Sequence, residues 1–114
     1  MQFLLLLYGD EVADAALPEA DAYAVIEAHG EFSSKLRAAE AHVFGVALAE
    51  SQTATTLSRE GDEILTDGPF AEGREQMGGI YVIECTDLDE AINWARQVPW
   101  SNKLKVEIRP VLDL

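Results

Sequence analysis

Twice in this chain a short apolar run leads into a helical stripe and then into another β-prone run, and that order constrains the fold more than any other feature. The first run is Phe3-Leu4-Leu5-Leu6-Leu7-Tyr8, ending at Gly9-Asp10. It has no basic region before it and no small-residue cleavage site after it, and it is far shorter than the ~20 residues that cross a bilayer. It therefore reads as a strand buried on both faces, in a chain expected to stay in the cytoplasm. Residues 9–18 are polar and small and end in Leu17-Pro18-Glu19, a helix-start signal. Ala22, Val25, His29, Phe32, Leu36 and Ala39 then recur at spacings of three and four, one stripe of a long amphipathic helix. Gly30 interrupts it at a cost of roughly 1 kcal/mol relative to Ala. His42 to Leu48 reads as the second strand.

The second unit has the same form. Gly79 to Glu84 is a strand, and Asp87 with Glu90 three residues on is a capping pair. A helix with Leu88, Ala91, Trp94, Ala95 and Val98 inward stops at Pro99. Leu104, Val106 and Ile108 then alternate with Lys105, Glu107 and Arg109 in a half-buried last strand. Between the units, Thr53 to Leu57 and Glu63 to Thr66 flank Arg59-Glu60-Gly61-Asp62, a hairpin, and Asp67-Gly68-Pro69-Phe70 closes it. Ala71 to Gly78 is expected to be a loop or a frayed helical turn. Two strand-helix-strand units around a hairpin insert predict an α+β, ferredoxin-like sandwich occupying residues 1–114 as one domain. Both helices cover one face of the sheet. The other face is bare and apolar, so a homodimer joined through it is expected.

Composition removes several classes of function. Acidic residues outnumber basic ones 21 to 8, a net charge of −13 with no local basic patch, so nucleic-acid and membrane-surface binding are not expected. The single Cys85 cannot form an intramolecular disulfide and suits a reducing compartment. There is no His/Cys/Asp set at metal-ligand spacing, no glycine-rich phosphate loop and no Gly-x-Ser-x-Gly elbow. No metal and no cofactor are expected.

Leu5-Leu6-Leu7-Tyr8-Gly9-Asp10-Glu11, Thr66-Asp67-Gly68-Pro69-Phe70-Ala71-Glu72 and Val106-Glu107-Ile108-Arg109-Pro110-Val111 together resemble the DGPF-type proteins of the YCII-related family. Arg74-Glu75-Gln76, Gly79-Ile80-Tyr81-Val82-Ile83-Glu84 and Leu88-Asp89-Glu90-Ala91 fill the same pattern, so the likeness spans the chain. It implies ferredoxin-like subunits paired into a dimeric α/β barrel. Many members are encoded beside, or fused to, extracytoplasmic-function sigma factors, which implies an accessory role in bacterial regulation. The wider family includes a dehydrochlorinase acting on a hydroxylated aromatic, with a suggested His-Asp dyad. His29, eleven residues before Glu40, falls on the dyad's His; Val98 stands where its Asp is expected, and Glu40 stands where the family turns with Gly.

Each candidate has two readings. His29 is a hydrogen-bonded core histidine or a general acid/base, its ordinary pKa of ~6.5 suiting proton transfer. Asp67 shapes its turn or supplies the carboxylate that Val98 does not. Arg74 and Arg109 pair with surface acids or hold an anionic ligand, Arg109 at the dimer cleft. Tyr8 packs at the strand end or tethers a ligand through its hydroxyl. His42 reads as a surface or edge residue, and Cys85 as a buried structural thiol. Two functions fit: a cofactor-free enzyme or binder handling a small polar or aromatic ligand in a helix-sheet or dimer-cleft pocket, and a non-catalytic accessory to a transcription regulator.

Overall fold

A computed structural model describes residues 1–101 and 103–114. In chain order the elements are β1 (Gln2–Asp10), α1 (Glu11–Ala15), α2 (Glu19–Ala38), β2 (His42–Ala47), a 3-10 turn at Ser51–Thr53, β3 (Thr55–Glu60), β4 (Asp62–Asp67), β5 (Glu75–Glu84), α3 (Leu88–Gln97) and β6 (Lys105–Pro110). The main sheet runs β2-β5-β1-β6, every pair antiparallel, while β3 and β4 pair only with each other. This is the ferredoxin-like α+β arrangement expected from the two repeated units, with the apolar β1 and β5 at its centre.

Alternation decides which residues meet the helices. Phe3, Leu5 and Leu7 on β1 lie opposite Ile83, Tyr81 and Gly79 on β5, and opposite Pro110, Ile108 and Val106 on β6. Phe3, Leu5, Tyr81 and Ile83 join Phe32 and Leu36 of α2 and Ala91 and Ala95 of α3 in one buried core. The other face carries Leu4, Leu6 and Tyr8 of β1, Ile80 and Val82 of β5, and Phe44 and Val46 of β2, the last two about half exposed. The molecule is only 18 Å through its thinnest dimension, one sheet and one helix layer. Among the described residues nothing covers the second face.

Local chemistry explains the element ends. Asp87 accepts from the Glu90 N–H at 2.9 Å, and the Glu90 carboxylate reaches back to the Thr86 N–H at 2.8 Å, one residue beyond a standard capping box. At the end of α2, Leu36 O accepts from Ala41 N at 2.8 Å and Arg37 O from Glu40 N at 3.0 Å, a Schellman motif. Glu40 carries the left-handed turn at φ 58°, where glycine is the usual occupant.

Three stretches depart from the sequence expectations. Residues 71–78 are not all loop: β5 already begins at Glu75, because Gln76 and Met77 pair with Gly9 and Tyr8 of β1. The polar segment after β1 contains α1, nucleated by the Asp10 cap (see below). The hairpin does not join the main sheet. It projects as an arm with Leu57, Ile64 and Leu65 exposed, and Phe70 beyond it is 88% exposed. The arm accounts for a radius of gyration of 15.8 Å, against roughly 13 Å for a compact chain of this length. Among the described residues no helix is long and apolar enough to cross a membrane.

Candidate functional site

The two halves of α2 sit differently on the sheet. Phe32 and Leu36 are buried, whereas Val25, Ala28 and His29 are only half-buried. Beneath the upper half, side chains are missing on both sides: four of the chain's eight glycines, Gly30, Gly45, Gly78 and Gly79, line one cleft. A Cβ at Gly45 would lie 2.8 Å from Cδ1 of Tyr81, and one at Gly79 would lie 3.0 Å from the carbonyl oxygen of Val46. Gly45 lets the Tyr81 ring lie across β2, and Gly79 lets the β2 backbone approach β5 closely. The resulting cleft, of about 320 Å³, opens between α2 and the β2 edge of the sheet, a size suited to a single-ring ligand.

His29 and Tyr81 meet there. His29 Nδ1 and Tyr81 Oη are 2.6 Å apart, and the two rings stack with centroids 5.9 Å apart and planes 15° from parallel. Phe32 holds the other side of Tyr81 edge-on at 5.1 Å and is itself met by Trp94 at 6.2 Å. Burial lowers the His29 pKa below that of an ordinary imidazole. Burial also raises Tyr81 above an ordinary phenol, with the Ser33 hydroxyl acting in the opposite direction. Both groups are therefore neutral near pH 7. The direction of the Nδ1–Oη bond follows the imidazole tautomer: with the proton on Nδ1 the imidazole donates to the phenol oxygen, and the Nε2 lone pair is left free.

Tyr81 is a partner the sequence did not announce. Alternation along β5 puts it on the helix face, but only packing brings it 52 residues back to His29. His42, read from sequence as a surface or edge residue, is half-buried and lines the cleft, as do Ser33 and Arg37. Asp67 lies elsewhere. It is exposed at the end of β4, opposite Thr55, and its turn is held by Gly68 N donating to Ala54 O at 2.7 Å and by Thr56 Oγ1 donating to Gly68 O at 2.8 Å. Val98 is sealed in the core at 1% exposure. Cys85 is buried as well, and burial raises its thiol pKa, consistent with a structural role.

The remaining candidates sit on other surfaces. Tyr8 is half-buried on the open sheet face beside Met77 and Lys105. Arg109 lies opposite Leu4 on that face and pairs with Glu107 at 3.3 Å. Arg74 reaches Asp10 at 3.1 Å, and Lys103 reaches the same carboxylate at 3.4 Å. Asp10, only 2% exposed, also caps α1 through the N–H groups of Val12 and Ala13 at 3.0 and 3.2 Å. The Ala13 hydrogen bond, with the two cations, holds its carboxyl below the ordinary range against the opposing effect of burial. Asp10 thus ties the end of β1 to the loops before β5 and before β6, a structural junction that the polar run around it concealed. Among the described residues no three His, Cys, Asp or Glu side chains converge as a metal site.

An uncharacterized protein of Rhizobium meliloti (strain 1021) is 34% identical over 116 residues, an overlap covering 97% of this chain and 92% of the relative. The sequence model of the YCII-related domain matches residues 1–114. On both grounds, the chain belongs to the YCII-related family.

Proposed function

We propose that the protein binds a small polar or aromatic ligand in the cleft between α2 and the β2 edge, and that His29 exchanges a proton with it. The observation that carries this reading is the 2.6 Å His29–Tyr81 bond at the wall of an open cleft. General acid/base work needs an imidazole whose position and tautomer are fixed by a second group. A His-Asp dyad does this with a carboxylate; here the neutral Tyr81 phenol accepts from Nδ1–H, and the uncharged imidazole keeps its Nε2 lone pair to accept a proton. Asp67 has no part in this version of the site.

The test is a panel of hydroxylated aromatics and small enolisable carbonyl compounds incubated in D2O. Binding is read from the His29 ring resonances, and turnover from solvent exchange of the ligand's acidic C–H. Exchange should fall by roughly 10²-fold or more in His29→Asn. Tyr81→Phe should keep binding but lose most of the exchange. Because the His29 pKa is lowered, activity should be on a plateau at neutral pH and decline only as the imidazole protonates, below the ~6.5 of a free histidine. If no compound moves the His29 signals, the ligand reading fails, and an accessory protein with an acidic surface remains.

We further propose that a second copy of the chain covers the open sheet face. That face presents Leu4, Leu6, Val82, Phe44 and Val46 in one patch, rimmed by Lys105, Glu107 and Arg109. An apolar centre with a charged rim of both signs is self-complementary under a two-fold axis. Light scattering behind size exclusion should give twice the 12.5 kDa chain mass, and Val82→Glu should yield monomer. A monomer from the unaltered chain would refute the pairing.

A further inference from the structure

We infer that the cleft selects a ligand with an anionic oxygen group, a single-ring carboxylate, held at the Arg37 end while its ring reaches His29. The inference rests on the proposed binding role of the cleft and adds the ligand's charge and orientation.

Charge comes first. The chain has 21 acidic residues against 8 basic ones, yet none of the residues lining this cleft is Asp or Glu. Its ionisable side chains are His29, Arg37, His42 and Tyr81. On a surface this acidic, a hollow without carboxylates that contains a guanidinium is a local inversion of the protein's field, and such inversions concentrate anions. Arg37 is also available. Among the described residues Arg59, Arg74, Lys103, Lys105 and Arg109 all form ion pairs, whereas Arg37, like Lys35 and Arg96 outside the cleft, forms none. A guanidinium presents a planar fork that matches a carboxylate in two hydrogen bonds.

Spacing gives the orientation. His29, Ser33 and Arg37 succeed one another at intervals of four along α2 and so lie in a row on one face. The row spans about 12 Å of helix axis, and helical side chains lean toward the N-terminus, which carries the Arg37 head back toward Ser33. A row of about 12 Å leaves room for one substituted ring between the guanidinium and the His29 imidazole. Leu7 and Ile26 supply apolar walls for that ring, and Ser33 and His42 supply further donors near its charged end.

The experiment compares 4-hydroxybenzoate with uncharged 4-hydroxybenzamide by calorimetry and by the His29 ring resonances. The acid should bind at least about tenfold more tightly than the amide, and raising salt should weaken only the acid. Arg37→Gln, at an exposed position, should leave the unfolding midpoint unchanged and abolish the preference, while Arg37→Lys should restore part of it. Equal binding of both probes, or a preference that survives Arg37→Gln, overturns the charge assignment and leaves the ligand-binding cleft standing. If neither probe reaches His29, while another compound of the wider panel does, the carboxylate class is wrong. If nothing in the panel binds, the binding role of the cleft itself falls.

Discussion

Leu36→Ala should lower the unfolding free energy by roughly 3–5 kcal/mol, the cost of deleting a fully buried leucine whose site cannot collapse around the void. Leu36 is 0% exposed and, with Phe32, is one of the two buried residues of the twenty-residue α2. The upper half of that helix stands over the cleft and contributes little burial, so α2 is held to the sheet mainly at its lower end. Against a typical total of about 5–15 kcal/mol, such a loss leaves a marginal domain. Urea titration at fixed protomer concentration measures it, the fixed concentration removing any contribution from association. Val25→Ala, at a half-buried position on the same stripe, should cost much less. Equal costs at the two positions would mean that α2 is anchored along its whole length, and the cleft would not be an open hollow in solution.

Gly45→Ala is the second large effect, and it strikes the site. The added Cβ would meet the Tyr81 ring at 2.8 Å from Cδ1 and 3.0 Å from Cε1. Tyr81 has little room to retreat, with Phe32 edge-on against it and its hydroxyl bound to His29. Overpacking of this kind costs about 1–3 kcal/mol, and the displaced ring should break the 2.6 Å bond. Stability and the His29 ring resonances should therefore change together. Gly30→Ala is the control, since a Cβ there meets nothing within 4 Å and should gain up to about 1 kcal/mol of helix propensity. If Gly45→Ala were as benign as Gly30→Ala, the contact that shapes the cleft would not exist.

Both expectations depend on features that differ in how far they can be read from sequence. Strand and helix identities follow from local period: apolar continuity in Phe3–Leu7, alternation in Lys105–Pro110, and spacings of three and four from Ala22 to Leu36. Each is set by how often a side chain returns to one face, which depends only on near neighbours in the chain. The inward placement of His29 was legible for the same reason, and so was the apolar second face of the sheet. The start of β5 was not, because Glu75, Gln76 and Met77 are polar or ambiguous alone and become strand only by pairing with Asp10, Gly9 and Tyr8. Nor was α1, whose five residues are too short to show a period and are ordered by the Asp10 cap.

The site itself belongs to tertiary structure. Sequence offered Asp67 as the partner of His29 because it is the acid of the Asp67-Gly68-Pro69-Phe70 signature and Val98 stands where a carboxylate was expected; the fold instead sends Asp67 out on an arm and delivers Tyr81. The glycines that hollow out the cleft come from three separate parts of the chain, Gly30, Gly45 and Gly78-Gly79, and a missing side chain carries no periodic signal. Sequence by itself determined the longer elements, the two-layer architecture and the position of one imidazole, since these follow from the local geometry of a repeating backbone. Which groups face that imidazole, and the empty space in front of it, were decided only when β2, β5 and α2 packed together, because a cavity is a property of what surrounding chains fail to fill.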